Sequence, residues 1–234
     1  MTSSPLLLVP GLNCTTELWA PQIAAFAPAR PVIVADHGRA DTMAEIAAGI
    51  LAAAPPRFAL AGLSMGGYIA MEILRRAPQR VERLALLDTQ ARPDGDEARA
   101  ARRQQIEIAE TGGFDRIADL QIPRLLSPAH QRDAGLVDLV RRMAAATGPA
   151  AFVRQQKAIL DRIDSRPSLA AIRCPTVVIV GAEDVITPVE LAREMAEAIP
   201  GAVLETIADS GHLSTVEAPA AVTAALARWL GRDG

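Results

Sequence analysis

Aromatic residues and lysine are scarce in this chain. Only 3% of its 234 residues are Phe, Trp or Tyr, and Lys157 is the single lysine. The formal net charge is −3, and the arginines are interspersed with acidic residues. A nucleic-acid-binding surface needs clustered basic side chains, so we expect no nucleic-acid partner. The length suffices for one large core, which must be built from aliphatic residues.

Cysteines and long apolar segments are scarce as well. Cys14 and Cys174 lie far apart without metal-ligand spacing, so we predict two packed thiols in a reduced protein and no metal site. The first residues lack the positive region of a signal peptide. No run approaches the roughly 18 apolar residues of a membrane span. These patterns predict a cytoplasmic protein with no membrane partner, and they leave the oligomeric state open.

Short apolar runs alternate with stretches of helical period, which predicts a parallel sheet covered by helices on both faces. Thr187 is the expected N-cap of one of these helices, with Pro188 at its first position. The pattern indicates an α/β fold with a mostly parallel sheet of about six strands. The predicted strands are 6–9, 32–35, 58–62, 83–88, 176–181 and 202–207, and the predicted helices are 17–27, 42–54, 66–77, 189–199 and 219–230.

Residues 94–168 interrupt this alternation. They have helical periodicity, no strand-like run and nearly equal numbers of basic and acidic residues. The simplest interpretation is an all-helical cap inserted into a core domain formed by residues 1–93 and 169–234. Amphipathic helices of this kind can instead form a partner-binding surface.

Ser64 lies in the sequence "GLSMGG", between a predicted strand and a predicted helix. A serine on such a sharp turn is exposed at the sheet edge, and the turn needs small neighbours, here Gly62 and Gly66. The alternative is a glycine-rich turn with an unreactive serine. The strand before it and the helix after it favour a nucleophile.

A serine nucleophile needs a base, and the chain has three histidines. His212 follows the last predicted strand in "SGHLSTVE", so it reaches the same sheet edge as Ser64 and is the preferred base. His37 and His130 are expected in loops, and contact of either with substrate stays open.

The base needs a carboxylate to orient it. The loop "GAEDVITP" after the fifth predicted strand supplies Asp184, which is preferred over Glu183. Asp88 is a rival, because it ends the fourth predicted strand at the same edge.

Two backbone N–H groups are candidates for stabilising a developing oxyanion. Met65 follows the nucleophile at a helix N-terminus, and Leu12 lies in the loop after the first strand, where Gly11 lets the chain turn. Asn13 offers a side-chain donor or caps the turn. Cys14 is interpreted as a packed thiol, because no base accompanies it.

With these motifs the chain resembles the α/β-hydrolase superfamily along nearly its whole length. The matching segments are "VPGLNCTTELW", "GLSMGG", "GAEDVITP" and "SGHLSTVEAP", and the order Ser, Asp, His is that of this superfamily. The layout is similar to small bacterial carboxylesterases and enol-lactonases. Many relatives have His-Gly where this chain has Pro10-Gly11, which affects the support of the oxyanion loop.

These observations predict a serine hydrolase that cleaves a small carboxylic ester through an acyl-enzyme, without a cofactor. A lactone or a thioester fits the same residues. A coenzyme A ester would favour a cationic cluster at the pocket mouth, and the near-neutral insert shows no clear one. The alternative from another class is a non-catalytic ligand-binding protein on the same fold.

Overall fold

The computed structural model describes residues 4–231. Six strands form one sheet in the order β2-β1-β3-β4-β5-β6, and every neighbouring pair is parallel. The predicted α/β fold with a six-stranded parallel sheet is therefore confirmed. The strands are β1 (Leu6–Val9), β2 (Val32–Val34), β3 (Phe58–Leu63), β4 (Val81–Leu87), β5 (Thr176–Gly181) and β6 (Val203–Ile207).

Helices connect the strands and cover both faces of the sheet. They are α1 (Ala20–Phe26), α2 (Met43–Ala53), α3 (Met65–Arg76), α4 (Asp96–Glu110), α5 (Ile117–Leu125), α6 (Ala134–Leu160), α7 (Arg166–Leu169), α8 (Val189–Ala198), α9 (Ser214–Glu217) and α10 (Pro219–Leu230). Alternate side chains of one strand enter different cores. Leu7 belongs to the core that includes residues of α2, α3 and α8, whereas Leu8 belongs to the core that includes residues of α1 and α10. Burial on both faces explains why the strands are continuous apolar runs.

The strand order reverses between β1 and β3. The chain runs from β1 outward to β2 and returns past β1 to β3. Such a reversal opens a crevice at the carboxyl ends of the two strands, where α/β proteins bind ligands. Gly11 and Ser64 lie in the loops that follow these strands, and a Cβ atom on Gly11 would be 3.4 Å from the Cβ of Ser64. The fold thus brings the two loops into contact.

The segment 94–168 is helical, with no strand among its residues, all of which the structure describes. Helix α6 breaks at Gly148, which has φ 74°, and continues at Pro149. These helices share a small core that includes Phe114, Ile117 and Phe152. The division into a cap and a core formed by 1–93 and 169–234 stays a prediction.

The structure corrects the predicted cap of one helix. Pro188 is the N-cap of α8, which begins at Val189. Thr187 was the expected cap, but its hydroxyl donates instead to Asp184 at 2.7 Å. Across residues 4–231, no helix combines the length and the hydropathy needed to cross a membrane.

Gly66 lies where α3 approaches β1, and its substitution tests this contact. A Cβ atom there would be 2.1 Å from the Val9 carbonyl oxygen, which is backbone and cannot move without shifting β1. We expect Gly66→Ala to lower the free energy of unfolding by about 1–3 kcal/mol or more, which is the usual cost of overpacking a core. Urea denaturation followed by circular dichroism measures the change.

The matched control is Gly49→Ala in α2. No atom would lie within 4 Å of the new Cβ, and Gly49 is exposed. Alanine is the better helix former, so this variant should gain up to about 1 kcal/mol. Equal stability of the two variants would contradict the packing argument.

Candidate active site

Ser64 occupies a turn between β3 and α3 with an unusual backbone conformation. Its φ of 54° and ψ of −115° lie where non-glycine residues are rarely found. Two contacts hold it: its N–H donates to the Leu87 carbonyl at 2.9 Å, and its carbonyl accepts from the Thr89 hydroxyl at 2.8 Å. Backbone strain of this kind persists only where the surrounding structure holds it, and it is found mostly at functional sites.

The turn closes tightly because its neighbours lack side chains. A Cβ atom on Gly62 would be 2.2 Å from the Gly66 carbonyl oxygen, so β3 and α3 meet through backbone alone. This close approach accounts for the sequence "GLSMGG" at this position. It leaves the Ser64 side chain at the carboxyl end of the sheet, where it lines a cavity.

The structure brings Ser64, His212 and Asp184 together in one hydrogen-bonded chain. His212 Nε2 lies 2.8 Å from Ser64 Oγ, and His212 Nδ1 lies 2.8 Å from Asp184 Oδ2. Because an ionised carboxylate only accepts, the proton of the neutral ring is on Nδ1. Nε2 is then free to accept a proton from the serine hydroxyl.

Asp184 is held ionised by the groups around it. Its Oδ1 accepts from the N–H groups of Ile186 and Thr187, and its Oδ2 accepts from the Thr187 hydroxyl. Burial alone would raise its pKa, but the charge and hydrogen bond of His212, with the Thr187 donors, lower the pKa of Asp184 to about 2. Glu183, by contrast, is exposed.

His212 is buried, and its pKa depends on its contact with Asp184. Burial alone would lower its pKa, but the charge and hydrogen bond of Asp184 raise the pKa of His212 above its ordinary value. The imidazolium is therefore stabilised in this site, as a residue that accepts a proton during a reaction requires.

Asp88, the rival carboxylate, is fully buried near the site and makes its hydrogen bonds to residues other than His212. Its Oδ1 accepts from the Gly181 N–H at 2.8 Å, and its Oδ2 contacts the Ser214 hydroxyl at 2.5 Å. Burial, with the negative charge of Asp184, raises the pKa of Asp88 to about 8. At neutral pH Asp88 thus retains its proton, whereas Asp184 carries the charge that faces His212.

The two candidate oxyanion donors flank Ser64. Gly11 and Leu12 line the cavity beside Ser64, and Met65 begins α3 directly after it. Among residues 4–231, no acceptor is found for the N–H of Leu12 or of Met65. Asn13, with φ 60°, turns the chain after Leu12 and is buried.

A buried histidine supports this loop, a contact that the sequence did not indicate. His37 Nε2 lies 2.9 Å from the Gly11 carbonyl oxygen, so the ring carries its proton there. Burial lowers the pKa of His37, which keeps it neutral. Gln155 of α6 accepts from the Asn13 N–H at 2.9 Å. The oxyanion loop is therefore fastened to a helix of the insert.

Cys14 lies at the cavity wall as a packed thiol. Its Sγ donates to the Leu12 carbonyl at 3.3 Å, and burial raises its pKa to about 12. A thiol with this pKa is protonated at neutral pH and is a poor nucleophile. Both Cys14 and Cys174 are free.

Glu217 anchors the loop that carries His212, and the sequence interpretation had missed it. Its fully buried side chain accepts from the N–H groups on either side of the histidine, those of Gly211 at 3.0 Å and Leu213 at 3.1 Å. Its other oxygen accepts from the Ser127 N–H at 2.7 Å and lies 3.0 Å from His130 Nδ1. One carboxylate thus joins the His212 loop to the end of α5.

The cavity above Ser64 has a volume of about 170 Å³. Neither His37 nor His130 lines it. Apolar residues of the core and of the insert form one part of the wall, among them Leu63, Tyr68, Leu125 and Ile159, and the remaining part is polar. Residues 4–231 contain no group of three or more His, Cys, Asp or Glu that is suited to a metal ion.

A sequence model of the alpha/beta hydrolase family matches residues 6–226. The chain belongs to the α/β-hydrolase family. Membership confirms the predicted resemblance and the predicted enzyme class, a hydrolase. It also agrees with the observed order of serine, acid and histidine along the chain.

Three relatives illustrate the activities found among similar α/β-hydrolases. An esterase from Thermogutta terrifontis, solved with malate bound, is 32% identical with a TM-score of 0.89 and aligns over 98% of this chain and 90% of its own. The enol-lactonase from Burkholderia xenovorans LB400 is 27% identical with a TM-score of 0.87, over 99% and 93%. A Caulobacter protein with the provisional name carbamate hydrolase RutD is 28% identical, over 96% and 90%.

Replacement of Glu217 tests its anchoring role. In Glu217→Gln an amide NH₂ replaces one carboxylate oxygen, so the acceptor is lost either for the Ser127 N–H or for those of Gly211 and Leu213. We expect a loss of about 1–3 kcal/mol in the free energy of unfolding, with faster hydrogen exchange at Ser127 or at the pair Gly211 and Leu213. The control Glu205→Gln, whose partner Arg228 is exposed, should change stability by less than about 1 kcal/mol. Unchanged exchange in Glu217→Gln would contradict the assignment.

Proposed function

We propose that this α/β-hydrolase cleaves carboxylic esters of small molecules through an acyl-enzyme formed on Ser64. The observation that carries the proposal is the chain of 2.8 Å contacts from Ser64 Oγ through His212 to Asp184 at the floor of a cavity. Its support from relatives is the similarity to an esterase and an enol-lactonase that align over nearly the whole chain.

In the proposed first step, His212 Nε2 accepts the hydroxyl proton while Ser64 Oγ attacks the ester carbonyl. Asp184 holds the Nδ1 tautomer and stabilises the imidazolium that forms. The N–H groups of Leu12 and Met65 donate to the oxyanion of the tetrahedral intermediate. Donors that are fixed before the reaction need no reorganisation when charge develops.

The intermediate then collapses as His212 protonates the departing alcohol. A water molecule, deprotonated by the same ring, attacks the acyl-enzyme, and the acid and Ser64 are released. The proposed cycle uses no metal and no organic cofactor. A lactone would follow the same steps with its alcohol still tethered to the acyl group.

Removal of the nucleophile is the direct test. We expect Ser64→Ala to lower kcat for 4-nitrophenyl acetate by roughly a millionfold, as loss of the serine does in subtilisin, and to abolish labelling by a fluorophosphonate probe. The control is Ser168→Ala in α7, where the serine hydroxyl donates to the Ser165 carbonyl. This variant should keep both the ester hydrolysis and the labelling by the probe. Folded wild-type protein that neither reacts with the probe nor hydrolyses the ester would favour a ligand-binding protein.

The pH dependence of kcat/KM tests the roles of His212 and Asp184. Only the neutral ring accepts a proton, so activity should fall as the pH drops through the pKa of His212, which is raised above its ordinary value. Asp184→Asn removes the charge that raises this pKa, so the acid limb should move to lower pH. In the comparable serine-protease variant kcat falls by about 10⁴.

Asp88→Asn is the matched control for this profile. At neutral pH and below, Asp88 already carries a proton, so replacing it with the neutral amide leaves the charge near His212 unchanged. The acid limb should then stay in place. A shift of the limb in Asp88→Asn, with none in Asp184→Asn, would reverse the assignment of the two carboxylates.

A further inference from the structure

The polar part of the cavity wall comes largely from the two insert helices α4 and α5. Arg102 and Gln105 lie three residues apart on α4, and Gln121 and Arg124 lie three residues apart on α5. This spacing places each pair on one face of its helix. The Gln121 amide donates to Gln105 Oε1 at 3.1 Å, so the two faces meet at the cavity.

Two arginines share a single carboxylate in this wall. Asp94 Oδ2 accepts from Arg102 Nε at 2.5 Å, and its Oδ1 accepts from Arg162 Nη2 at 2.7 Å. Although burial alone would raise it, these hydrogen bonds lower the pKa of Asp94, which therefore stays ionised. Arginine does not deprotonate in proteins. The three groups together carry one positive charge in excess.

Arg162 extends this charge towards the cavity floor. Its guanidinium lies 4.2 Å from the ring centroid of Tyr68, which lines the cavity. Its side chain is only 5% exposed, and its Nε has no hydrogen-bond partner in the part of the chain that the structure describes. Water therefore screens the excess charge only weakly on this side.

Arg124 adds a second positive charge at the outer wall. It is exposed and lines the cavity, and its guanidinium has no hydrogen-bond or ion-pair partner among residues 4–231. Two nitrogens of Arg102 are occupied, because Nε donates to Asp94 and Nη1 donates to Gln156. Its third nitrogen, Nη2, has no acceptor among residues 4–231. Asp94 is the single acid among the lining residues, and it is already paired.

We propose that the substrate carries a free carboxylate, at the end remote from the scissile ester, which binds to Arg102 and Arg124. This inference rests on the proposed esterase function and names the substrate class of that site. The excess charge favours an anion over a neutral polar group, because hydrogen bonds to charged groups are stronger than neutral ones. A cavity of about 170 Å³ suits a short dicarboxylic monoester or acidic lactone better than a large phosphorylated carrier.

A pair of esters of equal chain length tests the proposal. The 4-nitrophenyl monoester of glutaric acid has a terminal carboxylate, and 4-nitrophenyl pentanoate has a methyl group there. We expect kcat/KM to be about tenfold or more higher for the glutarate monoester, mainly through a lower KM, and the preference to shrink at high salt. Hydrolysis by Ser64→Ala, measured in parallel, is subtracted as background.

Variants of Arg124 locate the preference. Arg124→Gln should reduce the ratio of the two kcat/KM values by about tenfold, and Arg124→Glu should reduce it further. The control is Arg142→Gln, which removes the same charge from an exposed site on α6 where Arg142 pairs with Glu17. It should leave the ratio as in the wild type.

The outcomes separate this inference from the proposed function. If neither ester shows hydrolysis that depends on Ser64, the esterase proposal fails. If the pentanoate is hydrolysed and the glutarate monoester is no better, or if Arg124→Gln keeps the wild-type ratio, the carboxylate site is wrong while the esterase stands.

Discussion

The left-handed backbone of Ser64 is the constraint on which the site depends. A serine in this conformation is unfavourable on its own, so the surrounding chain must hold it. Hydrogen bonds to Leu87 and Thr89 do so from the neighbouring strand β4 and the residues after it. The glycines at 62 and 66 permit the contacts between β3, α3 and β1. Every distance from the serine hydroxyl to its partners therefore depends on backbone packing in the centre of the sheet.

Two buried carboxylates at the same sheet edge have different protonation states because their surroundings differ. Asp184 meets four hydrogen-bond donors, including His212, and is ionised, while Asp88 has fewer donors and stays protonated at neutral pH. Two adjacent buried charges of one sign would repel each other strongly. The donors around Asp184 therefore decide which carboxylate carries the charge, and the protonated state of Asp88 keeps that arrangement stable.

The sequence was sufficient to predict the strands and the positions of Ser64, Asp184 and His212, because each follows a strand and parallel strands end at one edge. It was insufficient where contacts join distant segments. Thr187 was assigned to a helix cap, although it lies three residues beyond Asp184 and bonds to it. Glu217 was not singled out, although it lies only five residues beyond His212. The contact of Gln155 with Asn13 spans 142 residues and has no local pattern. The near-neutral insert likewise concealed the local excess of arginine that folding gathers in the cavity wall.

The anchoring of the His212 loop by Glu217 limits how this enzyme can be rebuilt. The Ser127 N–H that this carboxylate needs belongs to the insert, whereas Gly211 and Leu213 belong to the loop between β6 and α9. A chimera that exchanged residues 94–168 for the helices of another hydrolase would leave a buried carboxylate short of a donor, beside the histidine. To transfer the substrate specificity of another hydrolase, one would therefore have to exchange the junction after α5 together with the residues that line the cavity.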